Sequence, residues 1–232
     1  MHINELVGYE PLRPISDRYV ISPKGTFGSG KSSIPHRFVS MSNYDEETIQ
    51  VYWPEEFPKR RRLLPVATFM PELNLVMLGR YTHTCGGCDA ILPVDIRKIM
   101  HQLWQSPFHI LYEGVIVTHT KTTYVNFHTK LNELYPDRVR TGLWPFLYVH
   151  PLVAMQRVMG RESKRSAVQG LKILKIVEKH NALISWFDYY SSLDNNEAIW
   201  INTHHGMQYV AHKIAVLFGE EDEYLRLRRK DD

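Results

Sequence analysis

Apolar positions cluster along this chain in two alternating rhythms. Short runs rich in β-branched and aromatic residues occupy Tyr19 to Ser22, Ile49 to Trp53, Leu75 to Arg80, Ile110 to Val117, Leu143 to Val149 and Ala198 to Asn202. Bounded by turn-forming residues, they predict strands. Between most of them the apolar positions recur with helical spacing: Ser32 to Met41, Val94 to Trp104, Thr120 to Tyr135, Pro151 to Gly160, Ser163 to Tyr190 and Met207 to Phe218. Strands alternating with helices of this length predict an α/β three-layer sandwich, with a mostly parallel sheet and helices on both faces. Residues 44–75 break the rhythm with prolines, short extended runs and the block Lys59-Arg60-Arg61-Arg62, and read as an elaboration. The charged end, Glu220 to Asp232, reads as a solvated, partly frayed tail.

Composition narrows the class. The 232 residues, 44% apolar, suffice for a single domain over 1–232 with a sizeable core. A net charge of +3 does not announce a nucleic-acid binder, so any such role must rest on where basic residues cluster. No run is long enough for a membrane span and the amino-terminal stretch lacks a signal-peptide pattern, so the expectation is a cytoplasmic protein with no membrane partner. Two cysteines, Cys85 and Cys88, make no disulfide framework. Their CxxC spacing lacks the further ligands zinc requires, which favours a tight turn over a metal or redox site.

The chemistry concentrates in Gly25-Thr-Phe-Gly28-Ser29-Gly30-Lys31-Ser32, followed by Ser33. This is a full match to G-x-x-x-x-G-K-[ST], between a predicted strand and a predicted helix. Glycines let backbone N–H groups curl around phosphate, the helix start turns its positive end to the same place, Lys31 neutralises the outer phosphates and Ser32 ligates Mg²⁺. ATP, or GTP, with Mg²⁺ is the implied cofactor. Glu113 interrupts the apolar run FHILYEGVIV, and a carboxylate there is expected either to position Mg²⁺ or its water, or to form a salt bridge at the sheet edge. Asp89 follows LGRYTHTCGGC and precedes a helix, which suits a base accepting a hydroxyl proton or a helix N-cap. Arg157 and Arg161, four apart, fit a cationic lid at about 157–168 or a helix end whose dipole they oppose. SWFDYY and WPFLYV read as core, and Thr203 to His205 as a loop near the nucleotide base.

This order of parts resembles the P-loop nucleoside and nucleotide kinases. More narrowly, GRYTHTCGGCDAI with LYEGVIV is similar to bacteriophage kinases that phosphorylate the hydroxymethyl group of 5-hydroxymethyluracil already within DNA. The resemblance implies Lys31 and Ser32 for phosphate and Mg²⁺, Asp89 as base, and Arg157 and Arg161 as lid cations. DNA bearing a modified pyrimidine would be the substrate, with basic clusters at Lys59 to Arg62, Arg161 to Arg165 and Arg226 to Lys230 available to its backbone. Two alternatives remain open on the sequence: a kinase for free deoxynucleosides or their monophosphates, and a nucleotide-switched binding module. The sequence sets no oligomeric state.

Overall fold

The computed structural model describes residues 1–45, 49–53, 65–81, 87–114, 120–161 and 166–231. One sheet holds eight strands: β1 Tyr19–Ile21, β2 Lys24–Gly25, β3 Gln50–Tyr52, β4 Pro65–Met70, β5 Leu75–Leu78, β6 His109–Leu111, β7 Thr141–Tyr148 and β8 Asn196–Asn202. Among the described residues seven α-helices accompany them: α1 Ser33–Ser40, α2 Pro93–Trp104, α3 Thr123–Leu134, α4 Pro151–Arg161, α5 Ser166–Ser191, α6 Met207–Leu217 and α7 Glu221–Asp231. The expected α/β sandwich is the observed fold.

Across the sheet the order is β3-β4-β5-β6-β1-β7, with β8 on the far edge of β7 and β2 continuing beside β7 beyond β1. Strands β5, β6, β1, β7 and β8 run parallel, whereas β3 and β4 join antiparallel. The 44–75 elaboration is therefore partly sheet, although 46–48 and 54–64, including the Lys59 to Arg62 cluster, lie outside the described residues. Strands β1 and β2 share one register against β7: Tyr19 faces Thr141 and Lys24 faces Phe146, five residues further along each strand. Pro23 interrupts them because it has no N–H to donate.

Consecutive strand residues serve opposite cores, which is why these strands read as unbroken apolar runs. Val20, Val76 and Ile110 pack under α2 and α3 with Ile99, Leu103 and Tyr124. Their neighbours Ile21, Met77 and Leu111 pack under α1 and α6 with Phe38 and Ile214. WPFLYV is core as expected, Trp144 and Phe146 clustering with Leu183 and Tyr190 between β7 and α5, whereas in SWFDYY only Tyr190 is buried and Trp186, Phe187 and Tyr189 pack half-buried against that cluster.

The expected frayed tail is instead helix α7. Tyr224 and Leu227, three apart, are both fully buried against the core around Phe38. Ahead of them the buried Glu220 carboxylate accepts hydrogen bonds from Asn74 and Arg13. Charge density hid two apolar anchors on one helix face. At the same, amino-terminal end of the parallel strands, the buried Arg140 guanidinium donates to the carbonyls of Leu103, Trp104, Ser106 and Phe108, gathering the chain between the end of α2 and the start of β6.

Two predictions follow from this packing. Leu227→Ala should lower the unfolding free energy by about 2–5 kcal/mol, measured by urea titration. His109 is buried, its Nδ1 accepts the Tyr19 N–H, and burial followed by the positive charges of Arg140 and Arg18 pushes its pKa down to about 3. The folded ring stays neutral while the unfolded one protonates below about 6.5, so stability is lost as pH falls from 6.5 towards 3. His109→Gln should reduce the slope of unfolding free energy against pH in that window by about one proton, or roughly 1.4 kcal/mol per pH unit.

Candidate active site

The glycine loop lies where β2 meets α1, at the carboxyl end of the parallel strands, the usual ligand position in open α/β sheets. Gly28 has φ +75° and Gly30 φ +93°, backbone conformations that side chains rarely adopt. A Cβ on Gly28 would stand 2.7 Å from the Ala154 carbonyl oxygen, and one on Gly30 would stand 2.5 Å from Met207 Sδ. The loop is thus pressed between the start of α4 and the start of α6. Gly25 is just as constrained, by the buried Ser29 side chain.

The Lys31 ammonium donates to the carbonyls of Gly25 at 3.0 Å and Thr26 at 2.9 Å, holding it over the loop. Burial pushes its pKa down to about 8, while the Glu113 and Asp89 carboxylates act to raise it. Ser33 opens helix α1 two residues after this lysine, with Ser32 at the N-cap position.

Glu113 stands two residues beyond β6, an interior strand between β1 and β5, so the sheet-edge salt bridge is excluded. It is 2% exposed. Its Oε2 accepts a 3.1 Å hydrogen bond from the Ser32 hydroxyl, while Oε1 has no hydrogen bond of normal geometry. Burial raises its pKa to about 7, against the opposing pull of Lys31 and the Ser32 hydroxyl. Residues 115–119, the remainder of the predicted strand, lie outside the described residues.

Asp89 lies in the 3-10 turn Gly87–Ala90, not at the start of α2, whose N-cap position is Leu92. The N-cap reading is therefore replaced. The turn is exposed at Asp89 and docks against the end of β6: Cys88 N–H donates to the Glu113 carbonyl at 2.8 Å, and a Cβ on Gly114 would be 2.8 Å from Asp89 Oδ1. Gly79, at the end of β5, backs onto Gly87, whose own missing side chain leaves room for the Glu113 carboxylate. Cys88 is buried and free, and burial raises its pKa well above the ordinary thiol value, so it belongs to the turn; Cys85 lies outside the described residues. No group of three metal-ligating residues occurs among the described residues.

From α4, Arg157 donates to the Gly28 carbonyl at 3.2 Å. The Arg161 side chain and residues 162–165 lie outside the described residues, and with them the Arg161 to Arg165 cluster. The other cluster, from Arg226, lies on α7, where Arg226 pairs with Glu223. Thr203–His205 leads directly into Met207, the residue that covers Gly30.

The arrangement brings Lys31, Ser32, Glu113 and Asp89 to one end of three adjacent strands, with Arg157 reaching over from α4. Sequence reasoning missed the three glycines Gly79, Gly87 and Gly114, all at positive φ. Their signal was present in part: Gly79 directly follows the apolar run Leu75 to Leu78, and Gly114 comes one residue after Ile110 to Tyr112, where a chain turns away from a sheet. It also missed Lys24, a buried lysine one residue before the loop.

The donor set fits a hard divalent cation carried with a polyphosphate: the Ser32 hydroxyl and the buried Glu113 carboxylate are both oxygen donors. Gly28→Ala should abolish saturable ATP binding, read by calorimetry, while leaving the far-ultraviolet circular dichroism unchanged, because both the loop's φ and its contact with Ala154 forbid a methyl group.

No family model matches the chain. Two phage proteins do match. The chain is 32% identical over 126 residues to a 5-hmdU DNA kinase of Pseudomonas phage PaMx11, covering 53% of this chain and 63% of the relative. It is 26% identical over 132 residues to a 5-hmdU DNA kinase of Bacillus phage SP10, covering 56% of this chain and 19% of the relative. The similarity thus runs over about half of the chain and spans less than two thirds of either relative.

Proposed function

We propose that the protein is an ATP-dependent kinase that transfers the γ-phosphoryl group to the hydroxymethyl oxygen of 5-hydroxymethyluracil within DNA. The observation that carries it is the hydrogen bond between Ser32, next to Lys31, and the buried Glu113 carboxylate, with Asp89 across the Gly114 junction. The likeness to two proteins named 5-hmdU DNA kinase supports the acceptor.

In this reading the loop amides and Lys31 hold the β- and γ-phosphates, and Ser32 with Glu113 holds Mg²⁺. The ion supplies charge neutralisation on the phosphate oxygens when bound. Asp89, exposed on its rigid turn, accepts the hydroxymethyl proton as that oxygen bonds to the γ-phosphorus and the bond to the ADP oxygen breaks. Arg157 fixes the far side of the loop through the Gly28 carbonyl. A base in DNA reaches such a recess extruded from the helix or from a single strand. Among the described residues no helix is long and apolar enough to cross a membrane.

Incubation with γ-labelled ATP and an oligonucleotide carrying one 5-hydroxymethyluracil should place label on the polymer. Label on a free nucleoside or mononucleotide, with the polymer unlabelled, would replace the acceptor. Lys31→Met and Asp89→Asn should each lower kcat by about 10²-fold or more. A nucleotide-driven switch would instead tolerate Asp89→Asn, and its partner binding would fail only in Lys31→Met.

A further inference from the structure

Helix α5 carries apolar residues on more than one side. Its inner side buries Ile176 with Val149 and Ala154, and Leu183 and Tyr190 with Trp144 and Phe146. A helix that is apolar all round belongs in a buried setting. Yet on the outer side Leu174 is 63% exposed, Val177 44% and Ile184 56%.

These exposed positions are ordered. Leu174, Val177, Asn181 and Ile184 follow one another at steps of three, four and three residues, and the exposed Asp188 comes four further on. That is the spacing of a coiled-coil seam, so the five positions form one stripe along the helix. Beside its far end Trp200, 37% exposed on the open edge of β8, stacks on Phe187 with ring centroids 5.2 Å apart and widens the apolar strip.

The charges on this side are divided between the two ends. Lys175 lies at the amino-terminal end and Asp188 at the carboxyl-terminal end; both are exposed, and neither forms an ion pair among the described residues. Along one helix they stand about 20 Å apart, too far to meet. If a second copy is turned end over end about Asn181, Val177 of one copy lies across from Ile184 of the other, Lys175 across from Asp188, and Asn181 across from itself. Glu178, also exposed, falls opposite Ser185, so no like charges face each other. Exchanging the copies reproduces every contact, as two-fold symmetry requires. A parallel pairing would instead set Asp188 against Asp188 and Lys175 against Lys175.

We infer that the outer side of α5 is the seam of an antiparallel homodimer, with a second copy of this chain covering the stripe. Asn181, amide to amide at the centre, fixes the register at some cost in stability, while Val177 and Ile184 supply the apolar contact and the Lys175–Asp188 pairs select the orientation. This pairing is independent of the phosphotransferase reading.

Sedimentation equilibrium of the full chain over about 1–100 μM tests it, because a dimer's population follows protomer concentration. Wild type should pass from monomer to dimer across that range. Ile184→Lys should weaken association at least about 10-fold. Lys175→Glu and Asp188→Lys should each weaken it about 10-fold by bringing like charges together, and the double reversal should return it to the wild-type level. All three positions are exposed, and circular dichroism checks that each variant folds. Should Ile184→Lys fail to fold, the charge reversals decide. A wild type that stays monomeric throughout, as it would if another macromolecule covered the stripe, overturns the inference. So does a dimer indifferent to Ile184→Lys, or a double reversal as weak as the single ones.

Discussion

A carboxylate with almost no access to water is costly unless something positive stands beside it. Glu113 is that group here. The strand that carries it ends between two others, its backbone carbonyl anchors the Cys88 turn, and one of its oxygens is bound by the first hydroxyl after the loop lysine. Loop, turn and strand end are therefore held in mutual register through one side chain. Burial raises its pKa to about 7 against the pull of Lys31 and the Ser32 hydroxyl. A cation held there, as proposed, would favour its ionised form.

The general plan was legible because each parallel strand feeds two cores. Val20 and Ile21, or Ile110 and Leu111, face opposite ways, so alternation vanishes and a plain apolar run remains. That pattern, with helical spacing between, gave the layers. The glycine loop was legible because its residue types are dictated by the backbone conformation required to surround phosphate.

Other features were hidden for identifiable reasons. Helix α7 carries so many charges that Tyr224 and Leu227 do not stand out, yet two apolar residues one turn apart suffice when the receiving surface already exists. The neutral state of His109 depends on Tyr19 and Arg140, far away along the chain. Lys24 carries no local signal of its burial, and only the closeness of Trp144 and Tyr190 makes it unusual. For Asp89 its place before a helix suggested an N-cap, a position that Leu92 holds instead, and its attachment to Gly114 was not foreseeable from local sequence.

The meeting of Gly79, Gly87 and Gly114 has a consequence for how selectivity could be altered. Three main chains cross there with no space for even a methyl substituent, so this patch of the recess wall is bare peptide and must remain so. If the proposed base-kinase activity holds, discrimination between one ring and another would have to be written by side chains around that bare patch, and an engineer would leave the crossing intact and vary its rim.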